Sequence, residues 1–126
     1  MLPLSILMTK EIKKVSGKAS LFETAQLMKN YKIGSLLVED GHECVGIVSE
    51  TDLVRKGLAE SIDPYKVPVE SIMSSPLISV DIKKTAKEAN DLMSERGVRH
   101  LAITEHGKIV GMLSVRDLLI YFKNAF

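Results

Sequence analysis

Two short stretches of the sequence each place a serine and an aspartate three residues apart, directly after an apolar run. They are Gly46-Ile47-Val48-Ser49-Glu50-Thr51-Asp52 and Gly111-Met112-Leu113-Ser114-Val115-Arg116-Asp117. A hydroxyl and a carboxylate at this spacing form a capping box at a helix N-terminus, where backbone N–H groups lack intrahelical partners. An ionised carboxylate also accepts two hydrogen bonds from a vicinal diol. Each stretch therefore predicts a helix cap, a small polar binding site, or both.

The two stretches belong to an internal repeat with a constant offset of 65 residues. The alignment runs without a gap from Met8 and Met73 to Leu53 and Leu118, and 12 of its 46 positions are identical. Unrelated segments would match at about three positions if about 6% coincide by chance. The repeat therefore organises the chain. The identical residues of the first copy are Met8, Val15, Lys18, Glu23, Leu27, Met28, Leu36, Val45, Gly46, Ser49, Asp52 and Leu53.

Each copy predicts the same order of elements, namely an extended lead-in segment, a helix, two strands and a closing helix. The first helices begin with the capping boxes Ser20-Leu21-Phe22-Glu23 and Thr85-Ala86-Lys87-Glu88. Asp40-Gly41 and His106-Gly107 mark turns between strands that should be antiparallel. Because one copy alone leaves a sheet face bare, we expect an α+β, sandwich-like fold in which the two copies pair.

The apolar runs also predict where the elements begin and end. Strands are expected over residues 33–38, 43–48, 98–104 and 109–113, and closing helices over residues 49–59 and 115–123. Along the chain we expect an N-terminal packing arm (1–7), the first copy (8–59), a connector (60–70) and the second copy (71–126). The connector is too short for a free linker, so the halves should pack on each other.

Composition argues against several classes of protein. The formal net charge is +1 with both signs mixed along the chain, which argues against a nucleic-acid protein with a broad basic surface. No apolar run is long enough to span a membrane, and the N-terminus lacks a signal-peptide pattern, so we expect a soluble, cytoplasmic protein. The single cysteine, Cys44, allows no internal disulfide and fits a reducing compartment.

The repeat resembles the cystathionine-β-synthase (CBS) domain family in its tandem form, over Met8–Leu53 and Met73–Leu118. The resemblance rests on the methionine that opens each copy, the helix ends Leu27-Met28 and Leu92-Met93, and the strand Val98-Arg99-His100-Leu101. It also rests on the repeated Gly-apolar-apolar-Ser-x-x-Asp motif. It implies two motifs related by a pseudo-twofold, often called a Bateman module, with two clefts that bind AMP, ADP or ATP. It further implies a homodimer and a stand-alone regulatory module that acts on a separate, unidentified effector protein.

The resemblance also implies roles for residues at matching positions. The ribose would be bound by Asp117, Ser114, Asp52 and Ser49. The adenine slot would be formed by Ile78, Val80, Val98, Ile12, Val15, Ile33 and Gly34. The phosphate would be bound by Arg99, His100 and Arg116. Plain helix capping, core packing and surface solvation are the alternative interpretations of these residues.

The two copies differ where the phosphate should lie, because Arg99 and His100 align with Gly34 and Ser35. The planar fork of arginine gives paired, charge-assisted hydrogen bonds to phosphate. Our hypothesis is that a phosphorylated nucleotide prefers the cleft of Asp117. In this family a cleft can borrow strand residues from the opposite motif, so the resemblance equally allows Arg99 to serve a ligand at Asp52.

Motifs of other functional classes are missing from the sequence. The sequence contains no Gly-rich phosphate loop, metalloprotease helix or nucleophile elbow, so we expect no catalysis and no catalytic cofactor. His42 and Cys44 share a strand face, but no further ligand completes a metal site. The alternatives are a dimerisation or protein-interaction module with non-functional clefts, or a binder of S-adenosylmethionine or a dinucleotide. Aromatic residues are too few for a single-stranded nucleic-acid platform.

Overall fold

Two three-stranded sheets carry the fold in the computed structural model, which describes residues 2–125. One sheet belongs to Lys13–Leu77, which we call the middle unit. The other belongs to residues 2–12 together with residues 78–125, which we call the terminal unit. The predicted α+β fold class is therefore confirmed. Within residues 2–125, no helix combines the length and apolar character needed to cross a membrane.

In chain order, the helices and strands are α1 (Leu4–Leu7), β1 (Lys14–Ser16), α2 (Leu21–Tyr31), β2 (Ser35–Asp40), β3 (Glu43–Ser49), α3 (Glu50–Asp52), β4 (Ser79–Asp81), α4 (Ala86–Arg96), β5 (His100–Glu105), β6 (Lys108–Ser114) and α5 (Val115–Ala125). A π-helical turn (Leu53–Gly57) and a 3₁₀ turn (Leu58–Glu60) continue α3. A further 3₁₀ turn spans Val69–Ser71.

Both sheets have the same topology. β1 runs parallel to β2, which pairs antiparallel with β3, and β4, β5 and β6 repeat this arrangement. The ladders even share an irregularity, since the register shifts between Val38 and Glu39 and between Ile103 and Thr104. The predicted order of lead-in segment, helix, strand, strand and closing helix holds in both copies.

The strands that carry the site begin two residues later than predicted. β2 begins at Ser35 rather than Ile33, and β5 begins at His100 rather than Val98. The reason is that the N–H groups of Ile33 and Val98 bond back to carbonyls of the preceding helices, at 3.1 and 3.0 Å. Ile33 and Val98 therefore close the last turns of α2 and α4 instead of joining a sheet.

The closing helices differ from prediction in opposite ways. The first runs from Glu50 to Glu60, one residue later than predicted at each end, and only Glu50–Asp52 is α-helical before the π turn begins. Single π-helical turns are often found at functional sites. The second, α5, is a regular α-helix that runs to Ala125, two residues beyond the predicted end.

The core of each unit contains residues from the start of the other repeat copy and from just before it. Leu4 is fully buried in the terminal unit, where Met8 packs beside it against the same core. Val69 is fully buried in the middle unit together with Ile72. The two units are therefore divided between residues 12 and 13 and between residues 77 and 78. The bounds predicted for the two repeat copies, 8–59 and 71–126, describe the sequence repeat and stay a prediction.

Backbone hydrogen bonds attach these two segments, residues 4–9 and 69–74, to the sheets. We call them the exchanged segments. Thr9 N–H donates to the Met112 carbonyl at 2.8 Å, and Met112 N–H donates back at 3.0 Å. Ser74 and Ile47 form the same pair in the middle unit, at 2.8 and 3.0 Å. Each pair lies one residue past the glycine of the Gly-x-x-Ser-x-x-Asp motif, so the exchanged segment anchors the strand that leads to the serine.

We expect Gly46→Ala to lower the free energy of unfolding by about 2 kcal/mol. A Cβ at Gly46 would lie 2.6 Å from the Ser74 carbonyl oxygen and 2.8 Å from Met73 Sδ. The carbonyl cannot retreat without weakening its hydrogen bond from Ile47 N–H. Urea denaturation with an unchanged m value is the measurement.

Gly34→Ala is the matched control for this prediction. A Cβ at Gly34 would crowd only the far end of the flexible Glu50 side chain, at 2.5 Å from Oε1. The change in free energy of unfolding should stay within about 1 kcal/mol of zero. Equal stabilities for the two variants would contradict the role given to the exchanged segment.

Glu88→Gln should remove a pH-dependent part of the stability of α4. Thr85 donates to the Glu88 carboxylate from its backbone N–H at 3.3 Å and from its hydroxyl at 3.1 Å. These bonds hold the pKa of Glu88 below its ordinary value of 4.5. Because the folded pKa is the lower one, the stabilisation is complete above the ordinary value and is lost as the pH falls through the folded pKa.

The stability difference between wild type and Glu88→Gln should therefore shrink as the pH falls from about 6 to about 3. Glu95→Gln, on the same helix, is the control. A difference that stays constant with pH would contradict this account of the cap.

Candidate functional site

In the terminal unit, Ser114 and Asp117 form a reciprocal cap that uses only one of the two carboxylate oxygens of Asp117. Ser114 donates to Asp117 Oδ2 from its backbone N–H at 2.9 Å and from its hydroxyl at 3.0 Å. Asp117 N–H donates back to Ser114 Oγ at 3.2 Å. All of these contacts use Oδ2 or the backbone, so within residues 2–125 Asp117 Oδ1 accepts no hydrogen bond. The capping interpretation is correct, and it still leaves one oxygen of the half-buried carboxylate for a ligand.

The start of β5 lies against the same turn. His100 pairs in register with Ser114, and Val115 N–H donates to the Arg99 carbonyl at 2.9 Å. Arg99 and Arg116 are exposed, and His100 is half-buried. The terminal unit therefore brings all three predicted phosphate residues to the turn between β6 and α5.

The hydrophobic residues predicted for the adenine slot of this unit lie at two depths. Val80 is buried in the core of the terminal unit. Ile78 and Val98 are half-buried and pack against the edge of that core. Ile78 and Val98 therefore retain accessible surface, whereas the position of Val80 is that of a core residue. The adenine role of all three stays a prediction.

In the middle unit, each oxygen of the equivalent carboxylate has a partner. Ser49 N–H donates to Asp52 Oδ2 at 2.9 Å, and Asp52 N–H donates to Ser49 Oγ at 3.2 Å. Lys56 Nζ lies 3.0 Å from Asp52 Oδ1 and also donates to the Ile72 carbonyl at 3.3 Å. Asp52 is buried, with a relative exposure of 9%. Neither oxygen of Asp52 is left free in the way that Asp117 Oδ1 is.

An acidic side chain lies over the start of β2. Glu50 N–H donates to the Gly34 carbonyl at 2.9 Å, which is the counterpart of the bond between Val115 and Arg99. Glu50 Oε1 is 2.5 Å from where a Cβ of Gly34 would stand. The predicted adenine-slot position Gly34 is therefore covered by a carboxylate.

The remaining residues that the sequence predicts for the adenine slot of the first copy belong to different units. Val15 is buried in the core of the middle unit, and Ile33 packs half-buried against it. Ile12 belongs to the terminal unit.

Sequence reasoning missed Glu50 and Lys56. The signal was present in the alignment of the two copies, where Glu50 stands opposite Val115 and Lys56 stands opposite Tyr121. The alignment does not reveal the geometry, because spacing alone does not show that the Lys56 ammonium contacts Asp52 or that the Glu50 side chain lies over Gly34.

The structure places no metal-binding cluster in the part of the chain that it describes. Among residues 2–125, no three histidine, cysteine, aspartate or glutamate side chains converge as metal ligands would. Cys44 is half-buried, and desolvation raises the pKa of its thiol.

Comparison with known proteins identifies the repeat. The CBS domain family matches this chain at residues 5–59 and 69–124. A protein of Methanocaldococcus jannaschii is 32% identical over 121 residues, which cover 94% of this chain and 64% of that protein. A protein of Methanopyrus kandleri is 36% identical over 99 residues, which cover 77% of this chain and 50% of that protein. The chain thus spans about half to two thirds of these relatives.

Solved structures agree with the sequence relatives. A conserved protein from Pyrococcus horikoshii is 34% identical, with a TM-score of 0.86 over 96% of this chain and 92% of that one. A hexameric CBS-CP12 protein from bloom-forming cyanobacteria is 30% identical, with a TM-score of 0.86 over 94% of this chain and 70% of that one. Paired CBS domains are generally regulatory, ligand-binding modules, and with two matched domains over most of its length this chain belongs to the CBS-domain family.

Proposed function

We propose that this CBS pair is a regulatory module that binds an adenosine nucleotide (AMP, ADP or ATP) in its terminal unit. The observation that carries the proposal is Asp117 Oδ1, an acceptor at a helix N-terminus that the cap leaves without a hydrogen bond in the described chain. Two exposed arginines, Arg99 and Arg116, lie in the segments that meet there.

The ribose fits the geometry of Asp117. A carboxylate accepts hydrogen bonds from vicinal hydroxyls, and Oδ1 is available to do so. The Ser114 backbone and hydroxyl hold the other oxygen at 2.9 and 3.0 Å, so the group is fixed before a ligand arrives. Fixing the acceptor in advance reduces the entropy lost on binding.

The phosphate fits the positive charge around the same turn. The N–H groups of the first turn of α5 and the helix dipole favour an anion. Arg99 and Arg116 add guanidinium groups that bind phosphate through paired, charge-assisted hydrogen bonds. His100, in register with Ser114, completes the predicted set.

A ligand held at the start of α5 acts on a helix with an exposed apolar face. Leu119 is 62% exposed and Ile120 is 56% exposed, only two and three residues after Asp117. We propose that this face passes the ligand state on, first to a second copy of the chain and then to a separate effector protein. The hexameric assembly of the CBS-CP12 relative supports association between CBS pairs.

Asp117→Ala should weaken nucleotide binding about 10- to 100-fold, or by about 1.5–3 kcal/mol, because it removes the ribose acceptor. The measurement is isothermal titration of protein freed of bound ligand by unfolding and refolding, with AMP, ADP, ATP and S-adenosylmethionine in turn. Asp117→Asn is the sharper variant, since its amide oxygen can still cap α5 while its NH₂ group cannot accept from ribose.

Asp91→Ala, which removes an exposed carboxylate on α4, is the control and should bind as wild type does. A folded Asp117→Asn variant with unchanged affinity would remove Asp117 from the site. No binding of any of the four ligands by wild type would contradict the proposal and favour an interaction module. Conversion of bound nucleotide over hours would contradict the non-catalytic role.

Ile120→Lys should shift the protein from dimer to monomer, because it places a charge in the apolar face proposed to meet a second copy. Sedimentation velocity over a range of concentrations measures the shift. Tyr65→Lys is the control, since Tyr65 is 68% exposed and lies in the middle unit, outside this face. A wild-type monomer at every concentration, or a dimer unaffected by Ile120→Lys, would contradict the proposed association.

A further inference from the structure

We propose that Glu50 determines the charge of the ligand that the middle unit accepts. The Asp52 site disfavours phosphorylated ligands by about tenfold and favours an uncharged or cationic adenosine-containing ligand, whereas the terminal unit takes the phosphorylated one. This inference rests on the proposed nucleotide-binding function and adds that the two copies prefer ligands of different charge.

The backbone holds Glu50 beside the start of β2. Its backbone N–H is fixed to the Gly34 carbonyl at 2.9 Å, at the position where Val115 bonds to Arg99 in the terminal unit. Its carboxylate occupies the space beside Gly34 that a side chain would fill, with Oε1 2.5 Å from the Cβ position. The equivalent place in the terminal unit belongs to Arg99. A carboxylate thus lies beside the backbone position that carries an arginine in the other copy.

The nearby Lys56 does not restore net positive charge to this site of the middle unit. Lys56 Nζ is 3.0 Å from Asp52 Oδ1 and donates to the Ile72 carbonyl at 3.3 Å. The charge of Lys56 is therefore balanced by Asp52. The Lys56–Asp52 pair leaves the negative charge of Glu50 uncompensated. A phosphate at this turn would meet a carboxylate at close range, and such a like charge weakens binding on the order of tenfold near a protein surface.

The two copies share the backbone N–H bonds of the cap. The serine and aspartate bonds have the same lengths in the two units, 2.9 Å from serine N–H to carboxylate and 3.2 Å from aspartate N–H to hydroxyl. Two further contacts differ, since the Ser114 hydroxyl also donates to Asp117 Oδ2 at 3.0 Å and Lys56 Nζ lies 3.0 Å from Asp52 Oδ1. A carboxylate oxygen has two lone pairs, so Asp52 Oδ1 can still accept from a ribose hydroxyl beside Lys56. The contrast in charge at the turn is Gly34 and Glu50 against Arg99 and Val115. Charge selection is separated from ribose recognition.

The test measures AMP and adenosine affinities by isothermal titration of the full chain in an Asp117→Asn background, where the terminal site is weakened. Adding Glu50→Gln should strengthen AMP binding about tenfold and leave adenosine binding within about twofold. Glu50→Val, which copies the terminal unit at that position, gives the same readout if Glu50→Gln fails to fold. Gly34→Arg added to Glu50→Val should strengthen AMP binding further. Glu43→Gln, at the far end of β3, is the control and should change neither affinity.

The outcomes separate this inference from the proposed function. If Asp117→Asn abolishes a wild-type AMP site but Glu50→Gln behaves like Glu43→Gln, the charge-selection role is wrong while the nucleotide function stands. If wild type binds a second AMP that is lost in Asp52→Asn and is as tight as the first, the inference is also overturned. If wild type binds no AMP, ADP or ATP at all, the proposed function itself fails.

Discussion

The structure depends on a backbone contact that is made twice, where a lead-in segment pairs with the strand that ends in the motif serine. Thr9 pairs with Met112, and Ser74 pairs with Ile47, in each case beside a glycine with no room for a side chain. The contact ties each copy of the repeat to a segment from the other copy. One copy cut out of the chain would lose the segment that anchors its own strand, which explains why the repeat occurs as a pair.

The chemistry follows from where that anchored strand ends. β3 and β6 each deliver a serine to a helix start, and the aspartate three residues later closes the cap. The cap fixes the carboxylate, and the neighbouring residues differ between the units. In the middle unit, Lys56 pairs with the carboxylate and Glu50 adds negative charge, whereas in the terminal unit one carboxylate oxygen has no hydrogen bond from the described residues and the adjoining segments carry arginines. A few differences around the same cap thus change the charge and the available acceptors at the turn.

Much of this could be predicted from the sequence, because it depends on local patterns. The capping boxes, the turn glycines and the motif serine and aspartate stand where spacing placed them, since short-range hydrogen bonds fix them. The exchange of lead-in segments could not be predicted, because the hydrophobic pattern of Leu4 or Val69 does not say which core takes it in. Helix spacing allows the Lys56–Asp52 pair, but spacing does not show that Asp52 is buried or that Lys56 also donates to the Ile72 carbonyl.

Hydrogen exchange of the full chain, first freed of bound ligand and then compared with and without added AMP, locates the bound nucleotide. We expect slower amide exchange at residues 99–100 and 114–117, where a ligand would cover the start of β5 and the first turn of α5. We expect no change at residues 34–35 and 49–52, where Glu50 stands. Equal slowing at both places, or none at residues 114–117 under conditions where AMP binds, would contradict this location.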